Sequence, residues 1–163
     1  MASAPKKTFV AQDIMAKRLV TLKPETDVFK AIETLVKNRI SGAPVVDENH
    51  RLLGVFSEKN CMQVLIDAAY EGLPTNQVGA FMDDDPQTIS KDTGLLVIAQ
   101  VFLLSPRRRL PVVDENNRLI GQVSRRDVIA AASKLVSTSP QKENPLLYLS
   151  AIHDMNNTPA VRG

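Results

Sequence analysis

Pro44-Val45-Val46-Asp47-Glu48-Asn49-His50-Arg51-Leu52-Leu53-Gly54 returns as Pro111-Val112-Val113-Asp114-Glu115-Asn116-Asn117-Arg118-Leu119-Ile120-Gly121, with nine of the eleven positions identical. The numbers differ by 67 throughout. The same offset, without a gap, pairs Met15 with Met82, Thr21 with Thr88, Thr26 with Thr93 and Ser57 with Ser124. Two copies of one supersecondary unit therefore fill residues 10 to 135. In each copy two β-rich runs flank a polar turn, which predicts an antiparallel hairpin. A period this long, present only twice, excludes a solenoid and predicts a closed pair. Related halves that close on each other leave clefts, where ligands commonly sit.

Outward from the first hairpin, Val10 to Ala16 reads as a short helical lead-in and Val20-Thr21-Leu22 as a brief extended piece. Thr26 is expected to cap a helix over Asp27 to Asn38, on which Val28, Ile32, Leu35 and Val36 recur at helical spacing. Gly42 is expected to break that pattern. Ser57 starts a second helix carrying Cys61, Met62, Leu65 and Ile66. Tyr70 to Asn76, with Gly72 and Pro74, is the connector. The second copy repeats the order: lead-in Gln77 to Met82, strand Thr88-Ile89, helix Gly94 to Leu104, hairpin strands Leu110 to Val113 and Leu119 to Ser124, helix Arg125 to Leu135. This divides the chain into an extension (1–9), a first repeat (10–69), the connector (70–76), a second repeat (77–136) and a linker and tail (137–163). The fold class is α+β, two β-α-β-β-α units. The tail holds an apolar patch at Pro145-Leu146-Leu147-Tyr148-Leu149 and Ile152, suited to docking on its own or a sister subunit, or to engaging a partner protein.

With 163 residues, 44% hydrophobic, and a net charge of +2, the chain belongs to the globular class without a strong general pull toward nucleic acid or membrane. Its one cysteine, Cys61, excludes an internal disulfide and fits a reducing compartment. No apolar core follows the opening Met-Ala-Ser-Ala-Pro-Lys-Lys, and no stretch approaches the roughly 18 apolar residues of a membrane helix. A cytoplasmic protein is expected. Nothing in the pattern of His, Cys and acids suggests a metal site or an enzyme. His50 lies at a hairpin turn where the other copy has Asn117, and reads as a solvated turn residue. Cys61 reads as core, and Asp83-Asp84-Asp85 as a solvated helix end and turn.

The chemistry-bearing segment follows each hairpin. In the second copy it is Gly121-Gln122-Val123-Ser124-Arg125-Arg126-Asp127, where a strand ends and a helix starts. The free amides and positive dipole end of a helix start suit an anion. Ser124 adds a hydroxyl, and Asp127 is an acceptor-only carboxylate suited to ribose hydroxyls. The same four residues also read as a plain capping arrangement, Ser124 bonding forward and Asp127 back.

The order of elements, the Pro-Val-Val-Asp hairpins, and Gly-Val-Phe-Ser-Glu-Lys-Asn beside Gly-Gln-Val-Ser-Arg-Arg-Asp resemble a pair of cystathionine-β-synthase (CBS) domains, a Bateman module. The resemblance covers residues 10 to 135. It implies two domains packed through their sheets about a pseudo-twofold axis, commonly as homodimers, with clefts for AMP, ADP, ATP or S-adenosylmethionine as regulatory ligands and no required cofactor. It further implies a stronger site of Thr21, Ser41, Gly42, Ala43, Pro44, Ser124, Arg125, Arg126 and Asp127. There Asp127 would hold ribose, Ser124 and an arginine phosphate, and the small residues the base. A second set, Ser57, Asn60, Thr88, Arg108, Arg109 and Leu110, departs from the family pattern. Asn60 replaces the acid, and Arg108 and Arg109 bring bulk where Ser41 and Gly42 stand, so one competent site per chain is expected. The module would signal to an effector protein on another chain. Two alternatives compete: a ligand-free dimerisation or interaction module, and nucleic-acid binding through Arg107 to Arg109 with Arg125 and Arg126. An aromatic content of 4% and the lack of a reading helix argue against nucleic acid.

Overall fold

A computed structural model describes residues 8–72, 76–138 and 153. The connector's Pro74 and the tail's apolar patch lie outside the described residues. The elements follow the duplicated order: α1 (Ala11–Ile14), α2 (Val28–Asn38), β1 (Gly42–Val46), β2 (Leu52–Ser57), α3 (Glu58–Tyr70), β3 (Ile89–Ser90), α4 (Leu95–Leu104), β4 (Arg109–Val113), β5 (Leu119–Ser124) and α5 (Arg125–Thr138). A short 3₁₀ helix, Val78–Ala80, takes the lead-in position of the second copy. Helix α5 continues to Thr138, past Ser137, where a linker was expected to start.

Helix α2 is capped by Asp27, not Thr26. The Asp27 carboxylate accepts from the amides of Phe29 at 2.9 Å and Lys30 at 3.2 Å. Thr26 is occupied one turn earlier, where its hydroxyl accepts from the Lys23 amide at 3.0 Å. The helix ends at Arg39 in the left-handed region (φ 53°), ahead of Gly42, which instead opens β1. Val28, Ala31 and Leu35 face inward, at 0, 0 and 3% exposure, the stripe a 3.6-residue period produces.

Each hairpin turn is built by its own aspartate. Asp47 Oδ1 accepts from the amides of Asn49 and Arg51, each at 2.9 Å. Asp114 Oδ1 accepts from Asn116 and Arg118 at the same distances. His50 and Asn117 take the left-handed step, at φ 63° and 61°, which a polar side chain tolerates better than a branched one. His50 is exposed, as a turn residue should be. Strand β1 pairs antiparallel with β2, Gly42 opposite Ser57 and Ala43 opposite Phe56, with an irregularity between Val45 and Val46. The second sheet runs β3-β4-β5. Its counterpart in the first copy has only a single parallel bridge, Leu22 to Val45, in place of β3.

The contacts divide the chain into two compact units that cut across the repeats. Among described residues one unit holds 8–15, 89–110 and 123–138, and the other 16–88 and 111–122. In the first unit α4 and α1 both pack on α5. In the second, Leu22, Val28, Ala31, Leu35, Val45, Phe56, Cys61, Val64 and Val78 form one apolar cluster. Burying each larger side chain is worth about 1.5–3 kcal/mol.

The cut arises because each repeat lends its lead-in to the other. In the first unit Ala11 N–H donates to Thr93 O, Gln12 N–H to Lys91 O, and Leu95 N–H to Phe9 O, at 2.9, 2.9 and 3.0 Å. In the second, Val78 N–H donates to Thr26 O, Gly79 N–H to Pro24 O, and Val28 N–H to Asn76 O, at 2.9, 2.8 and 2.8 Å. Adding 67 to one partner and subtracting it from the other converts each set into its mate. Asp83 and Val55 exchange two backbone bonds of 2.9 Å, and Ala16 and Gln122 exchange theirs at 2.9 and 3.0 Å by the same rule. At one crossing a glycine is required. A Cβ on Gly54 would lie 2.4 Å from the carbonyl oxygen of Asp83 and 2.8 Å from the sulfur of Met82.

Candidate functional site

In the second repeat β5 runs straight into α5, and the junction closes on itself. The amide and hydroxyl of Ser124 both donate to Asp127 Oδ2 at 2.8 Å, and the Asp127 amide donates back to Ser124 Oγ at 3.2 Å. The capping geometry read from the sequence is therefore present. It uses one carboxylate oxygen. Asp127 Oδ1 takes no hydrogen bond among the described residues, and both side chains are half-buried. The cap thus leaves one carboxylate oxygen uncommitted.

Arginines surround this helix start. Arg125 is tied down: its amide donates to Arg108 O at 3.3 Å, its Nη2 to Ser105 O at 3.2 Å, and its guanidinium lies 6.0 Å from the centre of the Phe102 ring. Arg108, Arg109 and Arg126 are exposed. The sequence reading assigned Arg108 and Arg109 to the second residue set. The backbone bond from Arg125 places Arg108 beside the start of α5, next to Ser124. The missed signal was the hairpin itself: Arg109 opens β4, whose neighbour β5 ends at Ser124.

The first repeat makes the same junction with different chemistry. The Ser57 amide and hydroxyl donate to Asn60 Oδ1 at 2.8 and 2.9 Å, and the Glu58 amide donates to Ser41 O at 2.9 Å. The other end of Asn60 is an amide NH₂, a donor where Asp127 offers an acceptor. Ser41 and Gly42 are partly accessible and Thr21 is half-buried. Ala43 and Pro44 are buried, and the Pro44 carbonyl already accepts from Leu22 N–H at 2.9 Å. Leu110 is likewise buried, at 0% exposure, while Thr88 is exposed. Ala43 belongs to the apolar cluster of its unit.

Cys61 is buried, and burial pushes its thiol above the ordinary value, which the neighbouring Glu58 reinforces. It is core, as its position on the apolar face of α3 suggested. On the same helix Met62, Leu65 and Ile66 are more than half-exposed or nearly so, with Tyr70 at 85%. No group of acids, histidines and cysteines among the described residues is arranged to hold a metal ion. No helix among them is long and apolar enough to cross a membrane.

A strand-to-helix junction of this kind, carried twice on repeats that exchange their lead-ins, defines a tandem CBS-domain chain. The family model for the CBS domain matches residues 10–67 and again 78–134, so the chain belongs to the CBS-domain family. It is 30% identical to the CBS domain-containing protein CBSX1, chloroplastic, of Arabidopsis thaliana, over 82% of this chain and 69% of that protein. The crystal structure of CBSX2 in complex with AMP superposes with a TM-score of 0.68 at 35% identity, covering 78% of this chain and 98% of that one. The CBS domain pair of protein MJ0100, in complex with 5-methylthioadenosine and S-adenosyl-L-methionine, shares the fold at 22% identity and a TM-score of 0.67, over 78% and 98% of the two chains.

Proposed function

We propose that this chain is a regulatory module that binds an adenosyl ligand (AMP, ADP, ATP or S-adenosylmethionine) and passes its occupancy to a partner protein. The observation that carries this reading is the uncommitted Oδ1 of Asp127, an acceptor beside a helix start flanked by exposed guanidiniums. A ribose hydroxyl donates to such an oxygen, and planar arginine forks suit a phosphate. The AMP-bound relative supports the ligand class. Regulation follows from differential binding: a ligand shifts an equilibrium only as far as it prefers one state. No catalytic role is proposed, and the cytoplasm is the proposed location. The repeats are proposed to span 10–69 and 77–136. The remaining residues of the two sets given above are proposed contacts, open to the same test.

Thermal shift with AMP, ADP, ATP, S-adenosylmethionine and a guanine nucleotide control tests the proposal. At one hundred times its dissociation constant a true ligand stabilises the fold by about 2.7 kcal/mol. No shift with any adenosyl compound overturns the reading. It would favour a second one, a ligand-free dimerisation or interaction module. The exposed row Met62, Leu65, Ile66 and Tyr70 on α3 favours that alternative, since contiguous apolar surface marks contact sites. A homodimer is proposed under either reading, and sedimentation measures it.

A further inference from the structure

The two hairpin turns meet each other. In the unit of residues 16–88 and 111–122, Arg51 and Arg118 form an antiparallel bridge. It is closed by Leu52 N–H to Asn117 O at 2.9 Å and Leu119 N–H to His50 O at 3.0 Å. These bonds flank the arginine pair instead of joining it. That makes it the non-hydrogen-bonded type, with Cα atoms about 4.5 Å apart and side chains at their closest. Like charges directly opposite each other in a sheet repel. Here the repeat puts an arginine at the same step of both hairpins, and the fold sets the two face to face.

Among the described residues no acid bonds either guanidinium; the nearby carboxylates of Asp47 and Asp114 meet the backbone amides of Arg51 and Arg118 instead. Asp47 and Asp114 spend Oδ1 on their own turn amides. Glu48 and Glu115 are exposed on the turns and make no bond to either arginine among the described residues. A further cation reaches this turn: Lys23 Nζ donates to the Asp47 carbonyl at 2.9 Å. Both guanidiniums are exposed and, among the described residues, neither has a hydrogen-bonding or ionic partner.

We propose that Arg51 and Arg118 bind a phosphate-class oxyanion that straddles the tips of the two hairpins. Two planar forks converging on one compact dianion supply charge-assisted bonds from both repeats and cancel the repulsion between them. Arg118 precedes β5 and Ser124 ends it, so this site and the helix start of α5 lie at opposite ends of one strand.

The test uses the full chain. Chloride is exchanged for inorganic phosphate at constant ionic strength while the arginine Nε–H resonances are followed by NMR. A parallel arm uses a phosphomonoester, glycerol 2-phosphate, to separate free phosphate from a carried phosphoryl group. Saturable movement of the Arg51 and Arg118 signals in either arm supports the site. It should vanish in the Arg51→Gln, Arg118→Gln double variant and survive in Asp127→Asn. Equal movement in chloride means charge screening alone and overturns the proposal. So does a phosphate response unchanged in the double variant. Both positions are exposed, so the double variant should fold, and its melting temperature in low-salt chloride should exceed that of the parent.

Discussion

The junctions Ser57–Asn60 and Ser124–Asp127 share a backbone and differ in what they leave open. In each, a serine amide and hydroxyl converge on one side-chain oxygen three residues on, at 2.8 to 2.9 Å. In the second repeat the spare atom is a carboxylate oxygen amid exposed arginines. In the first it is an amide nitrogen. One substitution, acid for amide, keeps the structural role and changes the chemical one. Both copies therefore keep the cap, and of the two junctions the second has a carboxylate oxygen without a hydrogen bond among the described residues, the atom proposed to meet a ribose.

The largest expected effect separates the two junctions directly. Asp127→Ala should abolish the roughly 2.7 kcal/mol of ligand-dependent stabilisation at saturating adenosyl ligand, whereas Asn60→Ala should keep it. Each should also lose on the order of 1 kcal/mol without ligand, from the cap alone. Isothermal titration of the parent should give one equivalent per chain, and two equal sites would erase the contrast. Next in size is Gly54→Ala. Its Cβ would enter the backbone of Asp83, so chemical denaturation should show a loss of about 1–3 kcal/mol from overpacking.

A smaller effect contrasts the corresponding helices α2 and α4. Asp27→Ala should cost about 1 kcal/mol, because it removes two amide bonds from α2. Its counterpart Gly94 has no side chain to cap α4, so Gly94→Asp should recover part of that amount if the new carboxylate reaches the first-turn amides. The smallest effect concerns Cys61. Its thiol sits above the ordinary value of 9.0, so the folded state binds the proton more tightly than the unfolded. The sign follows: its contribution is complete below about pH 9 and is lost as pH rises through the folded value. Native protein should therefore alkylate slowly, and Cys61→Ala should flatten the alkaline limb of the stability profile.

The order of elements was legible because the hydrophobic pattern is written twice, each copy checking the other. Asp27 was not legible as the cap because Thr26 and Asp27 are adjacent and either can serve; the bond from the Lys23 amide to the Thr26 hydroxyl decides between them. The helix stop at Arg39 carries no glycine to announce it. Small side chains at 41 to 43 suggested room for a flat base; how deeply each sits was not legible, and Ala43 is buried because β1 is buried from there to Val46. The exchange of lead-ins is carried by backbone amides and carbonyls, which leave no mark on residue type except at Gly54. Arg51 opposite Arg118 was invisible for the same reason, since register between hairpins far apart in sequence is not written in either one.

The traded lead-ins have a consequence for how such a chain can be divided. Cutting between residues 70 and 76 yields two fragments, each missing the strap that closes it and each holding the strap of its absent sibling. Neither should fold as a lone monomer. Mixed together they should reconstitute, and either alone should recruit a second copy of itself to borrow the missing piece. The ancestral single unit, before its gene doubled, would on this logic have been an obligate twin.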